Sequence, residues 1–355
     1  MRKVCFFVPY PLKVSPSQRF RFEQYFSMLD SAQINYSVFP FFSERAWLIL
    51  YLKRRILSKT VYFIEGYFHR IIQLLSIGSV DYVFIHREVA PLGPPVFEWI
   101  IAKLLQKKII YDFDDAIWLA DKKTNFPFEW LKCRWKARAI CKWAHRVSVG
   151  NSYLSDFALK YNSNVIINPT TIDTLRQHTP TKRQQKTNTT IGWTGSHSTL
   201  KYLQQLECVL QEVERKNPTT CFLVIADRPP HLNLNRLKFK KWNLENEIAD
   251  LREIDIGLMP LPDNEWTQGK CGFKALQYMA LEIATVASPV GVNRKIISHG
   301  NNGLLASTPN EWLEAIALLI HNVDLRQKLG EAGRTTVDLH YCVASNTANF
   351  LSLFD

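Results

Sequence analysis

The chain has 355 residues, 46% of them hydrophobic and 21% charged, and its 44 basic against 32 acidic side chains give a formal net charge of +12. That length suits about two domains, each with its own core, and the charge suits anionic partners such as a nucleotide, nucleic acid or an acidic membrane surface. No run of about 18 uncharged apolar residues is present, which excludes a membrane-spanning helix in this sequence. The seven cysteines form no Cys-x-x-Cys or Cys/His cluster, so they read as reduced thiols of a cytoplasmic protein and not as a zinc site.

Residues 4–8 read as a first strand, and the loop 9–18 leads into a helix over 19–29 with Phe22, Phe26 and Leu29 on one face. Arg19 and Arg21 stand at this first strand-to-helix junction. Two guanidiniums there predict contact with an anionic acceptor group, the alternative being a solvated polar cap. Residues 34–41 form a second strand. The stretch 47–75 then mixes Trp, Tyr and Phe with Lys53, Arg54, Arg55, Lys59, His69 and Arg70. That mixture predicts two helices, each with an apolar and a basic face, of the kind that lie on an anionic membrane. Packing on a sheet with a basic solvent face is the alternative. Residues 130–146 repeat the pattern, with Lys132, Arg134, Lys136, Arg138 and Lys142 among three tryptophans. No nucleic-acid motif accompanies these basic segments, so nucleic acid is not expected as a partner.

Strands over 80–85 and 109–113 end in His86-Arg87-Glu88 and in Asp112, Asp114 and Asp115. Polar residues at the ends of apolar strands are where α/β folds place chemistry. His86 and Arg87 join the two upstream arginines as expected acceptor contacts, although a lone histidine there is also a common structural hydrogen bonder. Strands over 146–149 and 165–167 complete a first sheet. The polar, basic stretch 177–189 reads as an interdomain linker.

Residues 190–193 open a second domain, and the loop after them offers Gly195, Ser196 and Thr199 to a phosphate. Strands follow at 221–226, 237–242, 254–259 and 283–287, with helices at 243–251, 270–281, 310–320, 323–340 and 346–354. The start of the 270–281 helix carries Gly269, Lys270, Gly272, Phe273 and Lys274. A flexible loop, two cations and a helix start at a strand end read as a phosphate site, and a solvated lysine pair on an ordinary helix reads equally well.

Met279-Ala280, Val286-Ala287-Ser288, Gly291 and Asn302-Gly303-Leu304-Leu305 resemble the donor-binding segment of the retaining GT-B glycosyltransferases, the large family-4-type group. The resemblance implies an α/β fold of two Rossmann-like domains facing across a cleft. Residues 1–176 would be the acceptor domain, 177–189 the linker, 190–340 the nucleotide-sugar donor domain, and 341–355 a helix crossing back to the first. It implies transfer of a sugar from a nucleotide-sugar donor to a glycan or lipid-linked acceptor, with no metal and no cofactor beyond the donor. In that frame Asp114 takes the place of the family's sugar-facing histidine, and Asp114 and Lys270 are the catalytic candidates. For Asp114, helix capping or an ion pair with a basic neighbour is the alternative. Gly195, Ser196, Thr199, Gly269, Lys270, Gly272, Phe273, Lys274 and Gln277 would bind the donor, and Arg19, Arg21, His86 and Arg87 the acceptor. The expected location is cytoplasmic, at the inner face of a membrane. The family usually carries two glutamates separated by seven residues, where this chain has Gly269 and Gln277. Their loss argues against a GT-B nucleotide-sugar epimerase and keeps a non-catalytic GT-B scaffold as an alternative.

Overall fold

The computed structural model describes residues 2–50, 52, 54–119, 129–181 and 188–355. The chain forms two compact units, one of Met1–Pro169 with Thr347–Asp355 and the other of Thr170–Asn346.

The first unit is built on β1 (Lys3–Val8), β2 (Asn35–Pro40), β3 (Tyr82–His86), β4 (Lys108–Phe113), β5 (Arg146–Val149) and β6 (Val165–Ile167), all parallel, in the order β2-β1-β3-β4-β5-β6. Its central strands are nearly continuous apolar runs, as parallel strands covered on both faces require. Phe6 of β1 sits 4.8 Å from the ring of Phe84 on β3 and 5.4 Å from that of Phe22. The segment read as crossing back is a helix, Val343–Leu351, followed by a turn, Ser352–Phe354. Its Phe350 stacks on Tyr25 at 4.3 Å, and both Phe350 and Phe354 are buried.

Two expected helices of this unit differ from what forms. The 19–29 helix is broken into Pro16–Arg19, a turn at Glu23–Tyr25 and Phe26–Ser31. The cause is two side chains that turn away from a helical surface: Gln18 exchanges two 2.9 Å hydrogen bonds with the backbone of Tyr10, and Arg21 is buried. The long helix Ile56–Ser76 has no basic face. Arg70 lies inside, donating to the carbonyl oxygens of Val8 (2.9 Å), Phe39 (2.7 Å) and Val89 (2.8 Å) at the ends of three neighbouring strands. Burial pulls its guanidinium down to about 9. Gly66 lets the helix close on Phe41, whose ring would lie 2.6 Å from an added Cβ. Lys53 lies outside the described residues. The basic run 130–146 is also partly internal. Lys136 is buried, 2.5 Å from Glu88, and Lys132 and Arg134 pair with Glu129.

The second unit holds β7 (Thr189–Gly195), β8 (Thr220–Ala226), β9 (Leu237–Lys241), β10 (Ile256–Met259), β11 (Ala284–Ala287) and β12 (Leu304–Leu305), again parallel, in the order β12-β11-β10-β7-β8-β9. The helix Phe273–Ala280 packs on one side against Val323–His340, where Gly333 brings the backbones close enough that a Cβ would lie 3.2 Å from Met279. Arg334 fastens the pair by donating to the carbonyl oxygens of Ala280 (2.7 Å), His178 (2.6 Å) and Thr174 (2.9 Å). Ile172 bridges to Cys342, and Arg252 donates to the oxygen of Thr179. Residues 170–179 are therefore held in the second unit, and the change of unit falls after Pro169, ahead of the expected 177–189 linker. Of that linker, residues 182–187 lie outside the described residues.

Candidate functional site

In the second unit, the end of β7 and the start of the Phe273–Ala280 helix meet around one indole. Trp193 is buried, and the Nζ of Lys274 lies 5.4 Å from its ring centroid. One turn along the same helix face, the Tyr278 hydroxyl accepts the Thr194 N–H at 2.9 Å. A Cβ at Gly195 would lie 2.5 Å from the Trp193 ring and 2.8 Å from Thr199 Oγ1, so the loop can close over the indole only because residue 195 is glycine. Gly195 and Lys274 thus both border the indole, and Thr199 borders Gly195. Gly272, the residue before the helix, has φ +71°, and its Cβ would meet Ile296 Cδ1 at 2.2 Å. Only glycine fits that turn without strain. Lys270 Nζ stands 5.2 Å from the ring centroid of Trp266, so each lysine lies over an indole. Gly269 is buried and ends the short Glu265–Gln268 helix, which opens with an Asn264–Thr267 capping box.

Other expected donor contacts are differently placed. Gln277 is buried, its Nε2 3.4 Å from His178 Nε2, so it lines the interior where a ribose contact was expected. His178 belongs to the segment 170–179 that is held in this unit, so the polar position faces that segment. Ser196 Oγ lies 2.8 Å from Ser198 Oγ, and Thr199 Oγ1 donates to the Ser196 carbonyl at 3.0 Å, so both hydroxyls have partners within the loop. Phe273 is half-buried at the helix start. A pair not singled out from sequence stands beside them: the backbone N–H and Nδ1 of His197 each lie 2.5 Å from the carboxylate of Asp227. The signal was available, since each residue follows a strand and β7 and β8 are neighbours. Between the ends of β10 and β11 lies a cavity of about 320 Å³, lined by Leu206, Leu261, Ser288, Arg294 and Trp312 among others. It is at the lower end of the size that takes a small ligand.

In the first unit the strand-end residues divide into an inner and an outer group. Arg21, His86 and Asp112 are all buried. Arg21 pairs with Asp112 through Nη2 and donates to the Asn168 carbonyl. His86 Nδ1 lies 2.8 Å from Asp112 Oδ2, and Ser148 donates to Oδ1 at 2.7 Å. Burial alone would raise the Asp112 carboxyl, but the Arg21 charge and the His86 hydrogen bond outweigh it and hold it far below the usual carboxylate range. Arg21 and His86, expected to meet the acceptor, are thus internal, each paired with the same carboxylate. The outer group is Arg87, Asp114 and Asp115. Arg87 Nη2 lies 2.6 Å from Asp114 and 3.1 Å from Asp115, with all three partly exposed. Burial would raise Asp114, and the charge of Arg87 more than offsets it, leaving a carboxylate. Arg87 has φ +63°, a left-handed conformation that is uncommon for a side chain of this size. Arg19 is half-buried, its guanidinium 4.8 Å from the Phe20 ring centroid.

Residues 188–322 match the family model described as glycosyl transferases group 1. No curated protein matches the sequence. Solved structures of similar fold include a sucrose-phosphate synthase from Thermosynechococcus elongatus, with TM-score 0.73 and 13% identity over 100% of this chain and 98% of that one. A glycosyltransferase from Rickettsia africae gives 0.69 and 12% over 99% and 97%. HepE from Anabaena, in complex with UDP-glucose, gives 0.67 and 14% over 99% and 100%. The chain therefore has the GT-B fold, and residues 188–322 of its second unit are similar to the group 1 glycosyl transferases.

Proposed function

We propose that this protein transfers a sugar from a nucleotide-sugar donor to an acceptor hydroxyl, with the nucleotide and diphosphate held by the second unit. The observation that carries the reading is the meeting of Gly195 and Lys274 at Trp193, with Thr199 beside Gly195, within the stretch that matches the group 1 glycosyl transferases. Lys274 and Lys270 neutralise the departing diphosphate, and the backbone around Gly195 and Gly272 comes close enough to donate to it. Asp114, kept ionised by Arg87, stabilises positive charge as it develops at the anomeric carbon. Retention of configuration and independence of metal are drawn from the family resemblance. UDP-glucose is the first donor to test, because HepE is similar in fold and was solved with it.

The acceptor we propose is a lipid-linked glycan at the cytoplasmic face of an anionic membrane, in polysaccharide assembly. The support is a surface of the first unit where Trp130 and Trp135 are exposed beside Arg138 and Lys142, aromatic and cationic groups that suit a headgroup layer.

Calorimetric titration of UDP, GDP and ADP into the wild type and into Lys270→Ala with Lys274→Ala tests the donor site. One nucleotide should bind, at least tenfold more weakly (about 1.4 kcal/mol) in the double variant. Failure of folded wild type to bind any of the three would overturn the reading in favour of a scaffold.

A further inference from the structure

The helix Ile56–Ser76 is apolar on two opposite sides. Its inner side, with Phe63, Gly66 and Tyr67, packs on Phe41 and Phe42. Its outer side carries Leu57, Val61, Ile64, Phe68, Ile71 and Leu75, each between 55% and 84% exposed. A helix that is apolar all round is normally buried all round. The outer residues repeat at intervals of four, three, four, three and four, the seam spacing of a coiled coil. At about 180 Å² for a fully exposed side chain they leave roughly 700 Å² of apolar surface in water, close to the ~800 Å² each partner contributes to a stable interface.

Charge decides what covers it. Besides buried Arg70, the charged side chains of this helix are Lys59 and Glu65, one of each sign, with Arg54 and Arg55 before its first turn. An interfacial membrane helix carries a strongly charged face, usually rich in Lys and Arg, and this one has a protein core where that face would be. The interval series also reads the same in both directions. An antiparallel copy therefore sets Leu57 against Leu75, Val61 against Ile71 and Ile64 against Phe68, while Lys59 meets Gln73 and not another lysine. A surface that is complementary to itself about a twofold axis is what an isologous dimer needs.

We propose that two copies of this chain dimerise through an antiparallel pairing of their Ile56–Ser76 helices. The reading is independent of the sugar-transfer function, since its readout is mass and not activity. Light scattering and sedimentation equilibrium of the full chain at tens of micromolar should give twice the chain mass. Ile64→Glu with Phe68→Glu should give a monomer with unchanged circular dichroism, because neither side chain packs in the core of its own chain. Leu339→Glu, at an exposed position on another helix, should remain a dimer. Orientation is read from Val61→Cys with Ile71→Cys. The two sulfurs of one chain sit ten residues apart, about 15 Å along the helix, too far to bond within it. Oxidation should link two copies in this variant and in neither single one. A monomeric wild type overturns the proposal. So does a dimer that survives the double glutamate substitution. A monomer that binds anionic vesicles, and loses them on the same substitution, overturns it in favour of a membrane surface.

Discussion

Replacing Asp112 by Asn removes one charge from the interior of the first unit and leaves another behind. Arg21 is 1% exposed, and it pairs with Asp112 and also contacts the Asn168 carbonyl and the Ser148 hydroxyl. Breaking a buried pair from one side costs about 3–5 kcal/mol, because the remaining ion can neither reach water nor lose its charge. For a unit of this size each kcal/mol moves the melting temperature by about 2–4 °C, so the expected loss is about 6–20 °C. Urea unfolding at pH 7, followed by far-ultraviolet circular dichroism, measures it. Arg21→Met added to Asp112→Asn should recover at least half, since no unpaired charge then remains. The pH dependence has a definite sign. The Asp112 carboxyl is depressed in the folded state, so its contribution is complete above the ordinary aspartate value near 4 and is lost as pH falls below it. The gap between wild type and Asp112→Asn should therefore narrow between about pH 4 and pH 2. A gap under about 1 kcal/mol at pH 7, or one that stays constant into acid, would refute the assignment of Arg21 and Asp112 as a buried pair.

Two changes test the second unit. Tyr278→Phe leaves the Thr194 N–H without its acceptor at a buried position and should cost about 1–3 kcal/mol in urea unfolding, with weaker nucleotide binding as the β7 loop loosens. Unchanged stability would mean that the hydroxyl is not what ties the helix to β7. Gly272→Ala places a methyl group against Ile296 at a positive φ and should cost about 1–3 kcal/mol. A neutral result in thermal melting would show that the turn can relax.

Most strands of both sheets were legible in the sequence because parallel strands are bounded apolar runs, and residues 109–113 and 283–287 announce themselves that way, whereas the two-residue strand β12 was not expected. The two-sidedness of the elements was harder to see. Arg21 and Arg70 look like solvent residues on amphipathic helices, and each turns out to satisfy groups at strand ends, an inward role with no local signature. Gln277 misleads for a related reason. Sequence periodicity reports one buried face, while Gln277 is covered from another side by His178, 99 residues away in the chain. The run of aspartates could not be divided by inspection either. Asp112 lies within the covered strand β4 and Asp114 just past its end, and that difference separates a structural carboxylate from one open to chemistry.

The first unit is closed by residues 347–355, which the ribosome delivers after all of the second unit has been made. Until Phe350 and Phe354 arrive, Tyr25, Phe84 and Phe6 lack the aromatic neighbours that cover them. Synthesis order and maturation order are therefore opposed. Residues 170–346 can complete their own core during translation, while the unit begun first waits, with an apolar face uncovered, for residues 347–355. Newly made chains should be most prone to aggregation through the unit begun first until residues 347–355 have been made.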